Sequence, residues 1–215
     1  MKTIMLGAAA ALLLAGCGGP EAHPLVVAWS FESGDCATNG VETVHVKVTP
    51  DAGEPKEADA ACADGRVDMG VFGAGTYGIT VDGRDASGKV VAINFGTSTT
   101  FGETGPFGDL EVTLHPKPAD VIVTWELSNG SGCPTGVVLP YYIAIYRKPA
   151  EQNGPLTDKV KEVQESCSAK TATLEDVAPG DYVVELDSRA VTPKVRGTAP
   201  VTVTPGTDAH VDLQF

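Results

Sequence analysis

The side chains most able to do chemistry are five cysteines, Cys17, Cys36, Cys62, Cys133 and Cys167, and four histidines, His23, His45, His115 and His210. A thiol can bridge, hold a metal, attack a substrate or accept an acyl group, and its neighbours decide which. No Cys-x-x-Cys pair and no histidine cluster occurs, so a zinc site has no ligand set. A hydrolase needs a nucleophile, a base and an orienting group that converge. His23 falls before the first strand and His115 beside a proline-rich link, while His45 and His210 occupy polar positions of alternating strands and are expected to face solvent. No Gly-x-Ser-x-Gly elbow, His-Glu-x-x-His helix or phosphate-cradling glycine loop is present. The expectation is a chain without catalytic residues, metal or cofactor.

Cys17 is set apart by what precedes it. Lys2 gives a positive start, Ile4 to Leu14 an apolar middle, and Ala15 and Gly16 a small-residue end, the three parts of a secretory signal. A spanning helix needs about 20 apolar residues, and this run stops short of that at Gly16. Leu14-Ala15-Gly16-Cys17 resembles the lipobox of bacterial lipoprotein precursors. The resemblance implies removal of residues 1–16, a diacylglycerol on the Cys17 thiol and a fatty acyl group such as palmitate on the new amino terminus. Gly18, where an Asp would signal retention, implies the outer membrane of a Gram-negative envelope, with acyl chains as the anchor. Residues 17–24 would form a lipidated tether that keeps the first strand within about 25 Å of the bilayer.

The chain carries 15 Lys and Arg against 28 Asp and Glu, a net charge of −13. Loss of the leader removes Lys2 and takes this to about −14, a balance that repels phosphate polyanions, so no nucleic acid partner is expected. A solvated acidic surface accounts for it.

With Cys17 lipidated, four cysteines remain in a chain exported to an oxidising compartment, and disulfides are expected. Three pairings are possible. Two cysteines fall in each half, so Cys36 with Cys62 and Cys133 with Cys167 would staple each half separately. Loops of roughly 27 to 35 residues would contribute on the order of 3 to 4 kcal/mol apiece in the chain-entropy model.

The chain is also internally repeated. Val26-Val27-Ala28-Trp29, Cys36 and Gly40-Val41 are answered by Val121-Ile122-Val123-Thr124-Trp125, Cys133 and Gly136-Val137. Gly75-Thr76-Tyr77-Gly78-Ile79-Thr80-Val81-Asp82 is answered by Gly180-Asp181-Tyr182-Val183-Val184-Glu185-Leu186-Asp187, and Leu110 to Leu114 by Ala209 to Leu213. Landmarks in one order at near-constant offset indicate duplication. Thr43 to Val48 and Tyr141 to Tyr146 are rich in β-branched and aromatic residues, and turn clusters such as Asp82 to Gly88 separate such runs. About seven strands per copy are expected. Helix is expected to be scarce: only Leu156 to Ser166, with Val160 and Val163 spaced for one face, could form a turn or two.

The predicted fold is all-β: two tandem immunoglobulin-like β-sandwiches, residues 25–117 and 118–215, after the signal peptide. Each Trp precedes the first Cys of its copy, so the staple should join different elements from an antibody disulfide. Through the Gly-x-Tyr entry at Gly75-Thr76-Tyr77 and Gly180-Asp181-Tyr182, the latter after Val177-Ala178-Pro179 as in carboxypeptidase-regulatory-like domains, the chain resembles the tandem immunoglobulin-like or prealbumin-like sandwiches of bacterial envelope lipoproteins. That resemblance covers nearly all of residues 25–215. It implies a spacer, stalk, adhesion or binding module, or an accessory pair docking to an envelope enzyme or a secretion or adhesion complex. The implied partners are the membrane, through the lipid, and an envelope protein or polysaccharide.

His115-Pro116-Lys117-Pro118 reads as an extended, semi-rigid link with the boundary at about Pro118. Asp82, Asp85 and Ser87 could supply oxygens to calcium, but Asp-Gly and Ser-Gly are hairpin chemistry and a tight turn is expected. Asn129-Gly130-Ser131 fits both a glycosylation sequon and a turn, and a turn is expected. Tyr142 and Tyr146 share a strand face with Ala144, opposite Tyr141, Ile143 and Ile145. They are the candidate ligand-binding aromatics, although packing or cross-strand pairing is the expected role.

Overall fold

A computed structural model of the chain describes residues 23–101, 109–126, 140–151, 154–189 and 195–214. The first half comprises β1 (His23–Phe31), β2 (Thr43–Pro50), β3 (Lys56–Ala61), β4 (Arg66–Phe72), β5 (Gly75–Arg84), β6 (Val90–Ile93), β7 (Thr97–Phe101) and β8 (Leu110–Pro116). The second comprises β9 (Ala119–Glu126), β10 (Pro140–Arg147), β11 (Lys159–Ser166), β12 (Thr171–Val177), β13 (Gly180–Asp187), β14 (Arg196–Val203) and β15 (Ala209–Gln214). The fold is an all-β sandwich architecture.

The two halves share one wiring. β1 lies between antiparallel β4 and parallel β8, and β9 lies between antiparallel β12 and parallel β15. On the facing sheet β2 is flanked by β3 and β5, and β10 by β11 and β13. They differ in closure. In the first half β6 pairs with β8 at Ala92–Pro116 and Ile93–His115, joining both layers into one folded sheet. In the second, a three-stranded and a four-stranded sheet stay separate.

Alternation along each strand produces the cores. In β1 Leu25, Val27 and Trp29 point inward, and in β2 Val44, Val46 and Val48 do the same. Each such aliphatic side chain removed from water contributes roughly 1.5–3 kcal/mol. The buried side chains form two clusters, one from Leu25 to Leu114 and one from Ala119 to Leu213.

Three local devices recur at equivalent places. The Trp29 indole N–H donates to the Cys62 carbonyl at 3.1 Å, and Trp125 donates to the Cys167 carbonyl at 3.4 Å. Each of those cysteines opens a single 3-10 turn, Cys62–Asp64 or Cys167–Ala169, that ends in a left-handed residue, Gly65 or Lys170. The Tyr77 hydroxyl donates to the Gly73 carbonyl at 3.1 Å and Tyr182 to the Ala178 carbonyl at 2.8 Å. The ring folds back over its own glycine: a Cβ at Gly75 or Gly180 would stand 3.4 or 3.3 Å from it. The Gly-x-Tyr motif is therefore a packing unit, in which the glycine makes room for the tyrosine that ties the strand entry to the preceding turn.

Three sequence expectations need correction. Leu156 to Ser166 is not helical; Lys159–Ser166 is strand β11, paired with β10 from Tyr146–Lys159 to Pro140–Ser166. Two valines three apart are a weak helical signal, and a continuous ladder of tertiary hydrogen bonds overrides it. Asp82 and Gly83 belong to strand β5, not to a turn, because both are paired on two sides, Asp82 with His45 and Ile93 and Gly83 with Val44 and Ala92. His23 is the first residue of β1 and is buried, not part of a tether.

The halves meet at the link. The Lys117 N–H donates to the Val91 carbonyl at 2.9 Å, and the Lys117 carbonyl accepts from the Gly206 N–H at 2.9 Å. Gly206 sits in the turn between β14 and β15, which closes through Thr207 N–H to the Thr204 carbonyl at 3.1 Å. Its φ is +60°, and a Cβ there would stand 2.4 Å from the Val90 carbonyl oxygen. Lys89 Nζ also donates to Thr207 Oγ1 across the junction.

Candidate functional site

The cysteines fall into place first. Cys36 and Cys62 are bonded, with Cα atoms 5.9 Å apart, and join the loop after β1 to the 3-10 turn after β3. Cys167 is disulfide-bonded. Cys17, Cys133 and the Asn129-Gly130-Ser131 sequon lie outside the described residues.

The histidines stay apart. His45, on the outer face of β2, is 14 % exposed, with Nδ1 2.8 Å from Asp59 and Nε2 3.9 Å from Glu57. His115 lies 3.0 Å from Glu32 and against the Phe95 ring, and His210 is exposed. Among the described residues no three His, Cys, Asp or Glu side chains are grouped to hold a metal ion. The Asp85 carboxylate accepts from Ser87 N–H, Ser87 Oγ and Lys89 N–H at 2.9, 2.6 and 3.0 Å. Those bonds build a hairpin turn and hold its carboxyl below the usual range.

The outer face of β11–β10–β13–β14 brings polar groups together. Tyr141, Ile143 and Ile145 point into the core, and burial pushes the Tyr141 hydroxyl pKa up. Tyr142, half-buried on the opposite face, lies under the Arg189 guanidinium, 3.9 Å from ring centroid to Cζ. Arg189 in turn reaches Glu162 Oε2 at 2.5 Å, where Lys159 Nζ also bonds at 3.0 Å. Partial burial pushes the Glu162 carboxyl up, and these two cations outweigh it and hold it below its ordinary value. Tyr146 lies two positions along the same face as Ala144, next to Val183 of β13.

Beyond Val183 the outer face of the sheet carries an open cleft of about 490 Å3, lined by Val183, Glu185, Thr198 and Pro200 together with Pro149, Gly154 and Leu156. Glu185 is only 6 % exposed. Arg196 Nε donates to Glu185 Oε2 at 2.9 Å, with a second bond from its terminal nitrogen, and the carboxylate holds the guanidinium pKa up. Sequence reasoning selected Tyr142 and Tyr146 on this sheet and missed Glu185, Arg196 and Arg189. The signal for them was the connection between the second and third strands of each copy, residues 51–55 in one and 148–158 in the other.

No protein-family model matches the chain, and no curated protein matches it. Solved structures are similar at low levels. The TIE protein of Bacillus anthracis is 8% identical over 90% of this chain and 33% of its own, with a TM-score of 0.37. This chain thus spans about a third of that protein's length. A fimbrial assembly protein from Parabacteroides distasonis is 10% identical over 90% of both chains, with a TM-score of 0.34. The minor pilin of Streptococcus agalactiae is 12% identical over 89% of this chain and 94% of its own, with a TM-score of 0.31. At this level the likeness transfers no role.

Proposed function

We propose that the chain is a non-catalytic cell-envelope lipoprotein, acylated at Cys17 and held at the outer membrane, that carries two β-sandwich modules divided near Pro118. The modules act as a spacer and binding unit, and the second presents the ligand-binding face. The observation that carries this reading is the lipobox-like Leu14-Ala15-Gly16-Cys17 placed just ahead of β1, whose first residue is His23. Six residues, 17–22, would then separate the lipid from the first sheet, a span of at most about 20 Å, so the body sits close to the bilayer. The paired Cys36 and Cys62 suit an oxidising compartment, and the same chemistry assigns Cys133 as the partner of Cys167.

Replacing Cys17→Ser tests the anchor in an envelope-bearing host. Radiolabelled fatty acid should enter the native chain and not the variant, and the variant should leave the membrane fraction. Equal labelling of both would end the lipoprotein reading. Non-reducing peptide mapping should recover a Cys133–Cys167 peptide, and a bridge between the halves would refute separate staples.

A further inference from the structure

We infer that the open cleft on the outer face of β13–β14, lined also by Pro149, Gly154 and Leu156, is a saccharide-binding site, with Glu185 and Arg196 as its polar contacts. The inference rests on the reading of this chain as a binding module and names the ligand class of its second half.

The duplication supplies the control. Gly75 and Gly180 are equivalent, so Glu185 occupies the place of Thr80, an exposed residue of β5. The first half builds the same sandwich with a hydroxyl at that position and with only residues 51–55 between its second and third strands. The fold therefore requires neither the longer segment nor the buried carboxylate. Glu185 is buried but its partner Arg196 is 62% exposed, and a pair so open to solvent adds little stability, which leaves it free for another role. An open cleft within the 300–1,000 Å3 range of small-ligand sites supplies one.

The wall chemistry selects the ligand. Both Arg196 bonds go to Glu185 Oε2, so Oε1 keeps its acceptor capacity. Arg196, whose side chain is 62% exposed, uses two of its N–H groups on Glu185 and keeps the rest. Acceptor and donors side by side match vicinal hydroxyls, each of which both donates and accepts. Pro149, Leu156, Val183 and Pro200 offer aliphatic surface to the C–H face of a sugar ring. The pair is neutral within a chain of net charge −13, which disfavours an anionic ligand. Glu185 is the only carboxylate among the described lining residues, whereas glycoside cleavage usually employs two, so the inference is of binding alone.

The test uses soluble Cys17→Ser protein on an array of bacterial and host oligosaccharides, followed by calorimetry with the strongest hit. Glu185→Thr, which installs the residue of the first half, should weaken binding roughly ten- to a hundredfold. Thr198→Phe, which fills the cleft and leaves the ion pair in place, should do the same, with unchanged circular dichroism showing that both variants fold. An array without a hit, or a hit that both folded variants bind with native affinity, overturns the inference. So does peptide binding alone in a parallel displayed-peptide selection. Each of these outcomes leaves the Cys17 labelling result, and with it the anchor, standing.

Discussion

The two halves use one interior and two different exteriors. Inward-facing positions correspond closely: Trp29 and Trp125 cap equivalent 3-10 turns, and Tyr77 and Tyr182 tie equivalent strand entries. Outward-facing positions have diverged. Arg84 and Arg189 each lie nine residues beyond the glycine of their Gly-x-Tyr motif. Arg84 faces Asp59 at 3.8 Å beside His45, whereas Arg189 covers Tyr142 and bonds Glu162. The first half fills this face with a polar lattice of His45, Lys47, Glu57 and Asp59. The second half places an aromatic and two arginine–glutamate pairs there, and Pro149, Gly154 and Leu156 of a longer connection help to line an open cleft at one end. Packing constrains the interior of a duplicated fold, while solvent leaves the outer sheet free to acquire a site.

Replacing the tryptophans is the severest test of the shared interior. Trp29→Ala and Trp125→Ala should each cost about 3–5 kcal/mol, by the lost burial and an orphaned cysteine carbonyl. Urea denaturation of the full chain would measure both, and a small loss in one half alone would break the equivalence.

The junction is where the halves must differ, since the Thr204–Thr207 turn of the second rests on the first. Gly206→Val would collide with the Val90 carbonyl and strain a left-handed residue, at a cost of about 1–3 kcal/mol. Spin labels on exposed Thr80 and Thr202 should show a narrow distance distribution in the native chain and a broad one in the variant. An unchanged distribution would mean that the turn does not hold the halves together.

The 3-10 turns offer a smaller contrast. Gly65 has φ +67° and Lys170 has φ +56°, the same left-handed stop made with and without a Cβ. Lys170→Gly should stabilise the second half, and Gly65→Ala destabilise the first, by about 1 kcal/mol each. Opposite signs in thermal melting would confirm that backbone strain is spent in one copy only.

The hairpin at Asp85 gives the smallest effect. Its carboxyl is depressed below 3.8 in the folded chain, so its contribution is complete above that value and disappears as pH falls through the lower folded one. Native protein should therefore lose melting temperature more steeply than Asp85→Asn below about pH 4. Parallel acid profiles would show that the turn does not depend on the ionised carboxylate.

Much of this was legible in the chain. Strand alternation and the repeat located the sandwich cores, and even cysteine spacing by halves predicted the Cys36–Cys62 bond that the fold contains. The segment around Val160 misled because β11 is an edge strand, half-exposed and charged, so it lacks the strict alternation of a core-facing strand. Glu185 gave no warning either, since it sits on an outward-facing strand position where a charged residue is ordinary.

By itself the sequence determined the all-β class, the recurring Trp and Gly-x-Tyr landmarks, the buried tryptophans and the aromatic face of β10. These follow from local alternation and from residue types whose burial or bonding has few alternatives. Only the tertiary structure decided that Gly206 locks against Val90, that Arg189 covers Tyr142 and that Glu185 lines one cleft with Pro149 and Leu156. Each of these depends on where a connection folds back over a sheet, and hydrophobic periodicity along one strand carries no record of what another segment places above it.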